Sequence, residues 1–137
     1  MLAGLSALFM PVTYIAEAEA DEPPLPRIVL IEVRETIPEE LERIADCESG
    51  KRDKNGRAVE GTATHYDSNG DVLLGRMNKP EYGVDIGKFQ INEVFHSENA
   101  QELGLDLYKE HDNEKYALML YKANGTRDWR ASASCWQ

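Results

Sequence analysis

Cysteine is scarce in this chain, which holds only Cys47 and Cys135, and the three histidines, His65, His96 and His111, fall at no ligand spacing. A zinc module needs Cys or His ligands paired a few residues apart, so zinc is excluded, and no metal or other cofactor is expected. Positive charge is also short: Lys and Arg number 15 against 25 Asp and Glu, a net charge of -10, with no basic run. Neutralising a series of phosphates takes clustered cations, so a nucleic-acid partner is excluded. A membrane-spanning run is missing as well. Residues 2–16 form an apolar stretch of 15 residues broken by Pro11, shorter than the ~20 residues that a spanning helix needs. What is present is ordinary globular composition over 137 residues, 42% hydrophobic and 29% charged. That length suits one domain and excludes a two-domain enzyme.

The apolar stretch ends in Ala16-Glu17-Ala18 and Ala18-Glu19-Ala20, small-x-small patterns of the kind cut by signal peptidase, before a polar Asp21-Glu22-Pro23-Pro24. Residues 1–20 therefore read as a signal peptide cleaved after Ala18 or Ala20. No Lys or Arg precedes Arg27, so the alternative is an N-terminal anchor or core helix that gives transient membrane tethering. The first reading places the protein outside the cell or in its envelope. In an exported chain the two cysteines can be joined; in a cytosolic chain they stay buried thiols.

Residues 21–36, with Pro23, Pro24 and Pro26, read as a linker, and the domain proper spans 37–137. Thr36-Ile37-Pro38-Glu39 has the form of a capping box, with Thr36 as N-cap and Glu39 at N3. The helical spacing of Leu41, Ile44 and Ala45 predicts a helix over 38–49, stopped by Gly50. Residues 51–87 change to short β-branched or aromatic runs around Asn55-Gly56 and Asn69-Gly70, two preferred pairs for tight hairpin turns. Asp67-Ser68-Asn69-Gly70-Asp71 invites a calcium-loop reading, but its glycine is fourth rather than sixth, which favours a plain turn. Helical periodicity returns over 93–103 (Val94, Ala100, Leu103) and 112–122 (Tyr116, Ala117, Leu120, Tyr121), and residues 127–136 read as a short closing helix. The fold class is α+β, mainly α, with a small β-hairpin region between the first core helix and the later helices.

Glu48 is the candidate acid, because a carboxyl in the last turn of a buried helix meets desolvation and the negative end of the helix dipole. Both raise its pKa toward what a general acid needs near neutral pH. Ser49 has no identified base and no nucleophile-elbow sequence, so nucleophilic catalysis by a hydroxyl does not compete.

Cys47-Glu48-Ser49-Gly50, together with Asp85-Ile86-Gly87-Lys88-Phe89-Gln90-Ile91-Asn92, resembles the lysozyme-like superfamily over about residues 37–136. There, a Glu at the end of the first core helix is followed, after a small β region, by a Gly-x-x-Gln-Ile-Asn segment. In animal-type lysozymes the segment reads Asp-x-Gly-x-x-Gln-Ile-Asn, matched by Asp85, Gly87, Gln90, Ile91 and Asn92. In resuscitation-promoting factors, which cleave actinobacterial cell walls, the Cys before the catalytic Glu is bonded to one near the C-terminus after a Trp. The resemblance therefore implies a Cys47–Cys135 disulfide, with Trp129 before the second cysteine. Tyr121-Lys122-Ala123-Asn124-Gly125 more loosely resembles a Tyr-Asn-Ala-Gly stretch of lytic transglycosylases, which makes Tyr121 a candidate wall of a sugar cleft.

The resemblance implies a lysozyme-like fold that cleaves the β-1,4 bond between N-acetylmuramic acid and N-acetylglucosamine in peptidoglycan. Glu48 would be the acid and Asp85 the nucleophile or electrostatic partner of an oxocarbenium-like sugar. In the transglycosylase variant the muramic acid's own 6-hydroxyl closes an anhydro ring and no second carboxylate is required. Gln90 and Asn92 carry amides able to bind sugar, or to hold the hairpin by bonding backbone groups. Trp129 and Trp136 are expected in the core. The partner is the peptidoglycan glycan strand and the protein is expected to be a monomer. The acidity of the chain argues for remodelling of the host's own wall. The alternatives are a non-catalytic secreted glycan-binding module with the same fold, and a secreted structural or inhibitory domain.

Overall fold

The computed structural model describes residues 35–76 and 79–137; residues 1–20, expected to be a signal peptide, and nearly all of the expected linker lie outside them. The described residues form one compact unit. Its elements run α1 (Glu39–Ser49), β1 (Leu74–Arg76), a 3₁₀ turn (Pro80–Tyr82), β2 (Val84–Ile86), β3 (Ile91–Asn92), α2 (Glu93–Glu102) and α3 (Glu110–Asn124). A second 3₁₀ segment (Arg127–Ser132) and α4 (Ala133–Trp136) close the chain. The architecture is α+β and mainly helical, with four α-helices and one three-stranded antiparallel sheet among the described residues.

Helix α1 begins one residue later than its pattern predicts, and without a capping box. Pro38 is the N-cap, no side chain bonds there, and Glu39 pairs with Arg43 one turn on (2.9 Å). The cause is Pro38 itself, whose ring disfavours helical dihedrals at Ile37 and so leaves Thr36 outside the helix. Leu41, Ile44 and Ala45 are buried as their spacing implies. Gly50 ends the helix, but with extended dihedrals (φ -77°, ψ 173°) rather than left-handed ones. It is glycine for space, since a Cβ there would lie 2.5 Å from the Asp46 carbonyl oxygen.

The two Asn-Gly turns form as read. Asp53 Oδ1 accepts the N–H groups of Asn55 and Arg57, and Asp67 Oδ1 those of Asn69 and Asp71, so both carboxylates brace their own turns. Each turn closes an isolated bridge, Arg52 to Ala58 and Tyr66 to Val72, rather than a strand pair. The sheet lies further along. In the order β1-β2-β3 it sets Gly75 opposite Asp85 and Asp85 opposite Asn92.

Of the apolar residues expected to anchor α2, only Ala100 is buried; Val94 and Leu103 are exposed. The helix start is fixed instead by Asn92, whose side-chain oxygen accepts the Phe95 N–H (3.2 Å) as an N-cap. Helix α3 outruns its predicted span at both ends and buries Tyr116 and Ala117. The closing helix is two pieces, broken at Trp129 (φ -109°, ψ 21°). Phe89, Ile86, Trp129 and Trp136 join α1 and α3 in the core, and Trp129 Nε1 donates to the Phe89 carbonyl (2.9 Å).

Three buried polar side chains tie the β region to the helices. Asp46 accepts the N–H groups of Gly61, Thr62 and Ala63 at 2.8 to 2.9 Å. Asn113 donates to the carbonyls of Ile86 and Leu107 and accepts from Phe89 N–H. His65 Nδ1 accepts the Lys88 N–H (3.2 Å), which leaves the proton on Nε2, 3.0 Å from the Tyr108 carbonyl oxygen.

Candidate active site

A disulfide joins Cys47 to Cys135, with Cα atoms 5.9 Å apart. It fastens α4 to the last turn of α1 and so holds the 3₁₀ segment that precedes α4 against Glu48. The Ser132 hydroxyl donates to Glu48 Oε1 (2.5 Å) and accepts from Trp136 Nε1 (3.1 Å).

Glu48 and Asp85 line one cleft of about 530 Å³, with Gln90, Asn92, Phe95, His96, Leu120, Asp128 and Trp129 among its other walls. Burial pushes the Glu48 carboxyl above its ordinary value; the Ser132 hydrogen bond pulls it down, Asp85 adds upward pressure and Arg52 opposes it. Desolvation dominates, as expected where a helix end is covered on one side by Ser132 and faces a second carboxylate. Arg52 donates to the Cys47 carbonyl (2.5 Å).

The Asp85 side chain is held from the neighbouring strand. Asn92 Nδ2 donates both to Asp85 Oδ1 and to the Tyr82 carbonyl (each 2.9 Å), while Asn92 Oδ1 serves as the α2 cap. The Asn92 amide is thus used within the protein, holding Asp85 and the Tyr82 carbonyl, while its side chain still lines the cleft. Gln90 is similar: its Nε2 donates to the Gly87 carbonyl (2.8 Å), and a Cβ on Gly75 would lie 2.1 Å from its Oε1. Gln90 is the described non-glycine residue at positive φ (46°), a conformation that recurs at functional sites. It still faces the cleft.

Tyr121 is not brought to this cleft. Its phenol donates to Glu40 Oε2 (2.6 Å) at the other end of α1, and the neighbouring Leu120 lines the cleft instead. One helical step of 100° separates the two faces, so a loose match of one position misassigns the residue. Trp129 and Trp136 are buried, 4% and 7% exposed, and Trp129 also forms part of the cleft floor.

Ser132, Asp128, Phe95 and His96 also stand at the site, where no motif placed them. The last two stand just beyond the Gln90-Ile91-Asn92 segment, and the Asn92 cap could have placed them on the first turn of a helix beside the motif. Burial lowers the His96 pKa, against the nearby negative charge of Asp128, and its Nδ1 lies 3.2 Å from the Tyr116 hydroxyl. Ser132 carries no local signal, since its role depends on the disulfide and on the turn of the chain at Trp129.

No family model, curated protein or solved structure matches the chain.

Proposed function

We propose that this protein is a glycosidase with a lysozyme-like fold that cleaves the β-1,4 bond between N-acetylmuramic acid and N-acetylglucosamine in peptidoglycan. The observation that carries the reading is a helix-end Glu48 with a raised pKa, set in one cleft with Asp85. A carboxyl that keeps its proton nearer neutrality can donate to a leaving glycosidic oxygen, and a second carboxyl across the cleft can face the sugar cation.

The Ser132 hydrogen bond adds a second function. Once Glu48 has given up its proton, the Ser132 O–H stabilises the resulting carboxylate, which then draws a proton from water or from the sugar's own 6-hydroxyl. The first nucleophile gives a reducing end and the second an anhydro end. An Asp85 fixed by Asn92 favours hydrolysis, because a charge held against the cation serves the transition state directly.

Release of dye from labelled peptidoglycan tests the assignment. Glu48→Gln preserves shape and removes the proton, so the rate falls by at least the ~10²- to 10⁴-fold of general acid catalysis. A variant that keeps a tenth of the wild-type rate defeats it, and strand binding without cleavage by the wild type identifies a binding module instead.

A further inference from the structure

We infer that a second hollow beside the cleft, at the end of α3, binds a carboxylate-bearing peptide substituent of the glycan strand, an inference that rests on the glycan reading above. The hollow measures about 520 Å³ and is lined by Asn124, Gly125, Arg127, Arg130 and Gln137, among others. Arg127 and Arg130 stand three apart in a 3₁₀ segment, on either side of its kink at Trp129, and both line this hollow.

Both bring positive charge to the hollow in a chain of net charge -10, and no Asp or Glu lines the hollow with them. Among the described residues neither Arg127 nor Arg130 forms an ion pair, in common with several other cations of the chain. Arg127 Nη2 donates to Asn124 Oδ1 (3.2 Å), a neutral partner that orients the guanidinium and leaves its charge intact. The Asn124 amide nitrogen donates to Asp128 (2.9 Å), a wall of the cleft. The carboxylates Glu48, Asp85 and Asp128 line the cleft, and Arg127 stands where the two hollows adjoin.

Arg127 lines both the hollow and the cleft that holds Glu48 and Asp85. An anion bound between Arg127 and Arg130 is therefore near enough to belong to the molecule in the cleft. The lactyl group of a muramyl sugar carries a peptide ending in free carboxylates, and two guanidiniums offer the planar donor pairs that carboxylates accept. The substrate class that follows is the peptide-substituted muramyl strand, in preference to peptide-free strands or neutral N-acetylglucosamine polymers.

Calorimetric titration of the full chain with N-acetylmuramyl-alanyl-glutamate, and with the same compound fully amidated, tests this. The acid form should bind at least tenfold tighter than the amide, about 1.4 kcal/mol, and less so as salt is raised. Arg130→Gln should remove most of that preference and Arg130→Lys should retain part of it, with thermal melts showing both variants folded. Equal affinity for acid and amide overturns the inference. So does an unchanged ratio in Arg130→Gln, which would leave the arginines as complements to the α3 dipole. Tighter binding of a glycerol phosphate oligomer than of the acid overturns the ligand class. The readout is binding, so its failure leaves Glu48-dependent cleavage standing, and failure of cleavage leaves the acid-to-amide ratio measurable.

Discussion

Four consecutive residues at the end of α1 have four different tasks. Asp46 gathers the backbone of residues 61–63, Cys47 holds α4, Glu48 enters the cleft, and Ser49 donates to the Lys88 carbonyl (2.8 Å) while accepting the Thr64 N–H. The raised pKa of Glu48 fixes the sign of its pH dependence. In the unfolded chain the carboxyl ionises first, so its favourable contribution is complete below about pH 4.5 and is lost as pH rises through the higher folded value. Urea denaturation should therefore show wild type losing ground to Glu48→Gln between pH 4 and pH 7; the opposite trend would mean that the carboxylate, not the acid, is the form the fold favours. Asn92 offers a separate test of positioning. Asn92→Ala releases Asp85 and removes the α2 cap, at a stability cost of about 1 kcal/mol for the cap. If Asp85 supports the sugar cation, kcat should fall about tenfold or more with KM little changed, and Asp85→Asn should fall at least as far. Full turnover in Asp85→Asn, with anhydro products, selects the transglycosylase route.

At the level of elements, the Cys47–Cys135 bond closes a separation of 88 residues, worth roughly 4 to 5 kcal/mol in the chain-entropy model. That is most of the stability of a marginal domain. A Cys47→Ala, Cys135→Ala double variant should lose about that much by chemical denaturation and, because α4 no longer anchors Ser132, should also shift the pH profile governed by Glu48. An unaltered profile would show that Ser132 holds its place without the bond. Asp46→Ala leaves three backbone donors without their acceptor, and at ~1 kcal/mol or more for each it should cost about 3 kcal/mol. The helices and the Asn-Gly turns were legible in the sequence because periodicity and turn chemistry are local. Asp46, His65 and Asn113 were not, since a polar residue whose partners are distant backbone groups leaves no periodic trace. The Glu48 and Asp85 pairing lay between these cases: each residue was singled out from its motif, but the cleft that both line is formed by elements distant in the chain.

The whole molecule sets a cleft lined by Glu48, Asp85 and Asp128 beside a hollow lined by Arg127 and Arg130, with Arg127 common to both, on a chain of net charge -10. The pair Glu48 and Asp85 gives that arrangement its proposed chemistry, and the disulfide, the Asn92 bridge and Ser132 all act by holding it in place. Mass spectrometry of the soluble products of purified peptidoglycan tests this most directly. Wild type is predicted to release muropeptides ending in muramic acid, reducing or anhydro, that are absent after incubation with Glu48→Gln. Muramic acid ends in equal yield from the two proteins, or none from wild type on strands that it binds, would contradict the account.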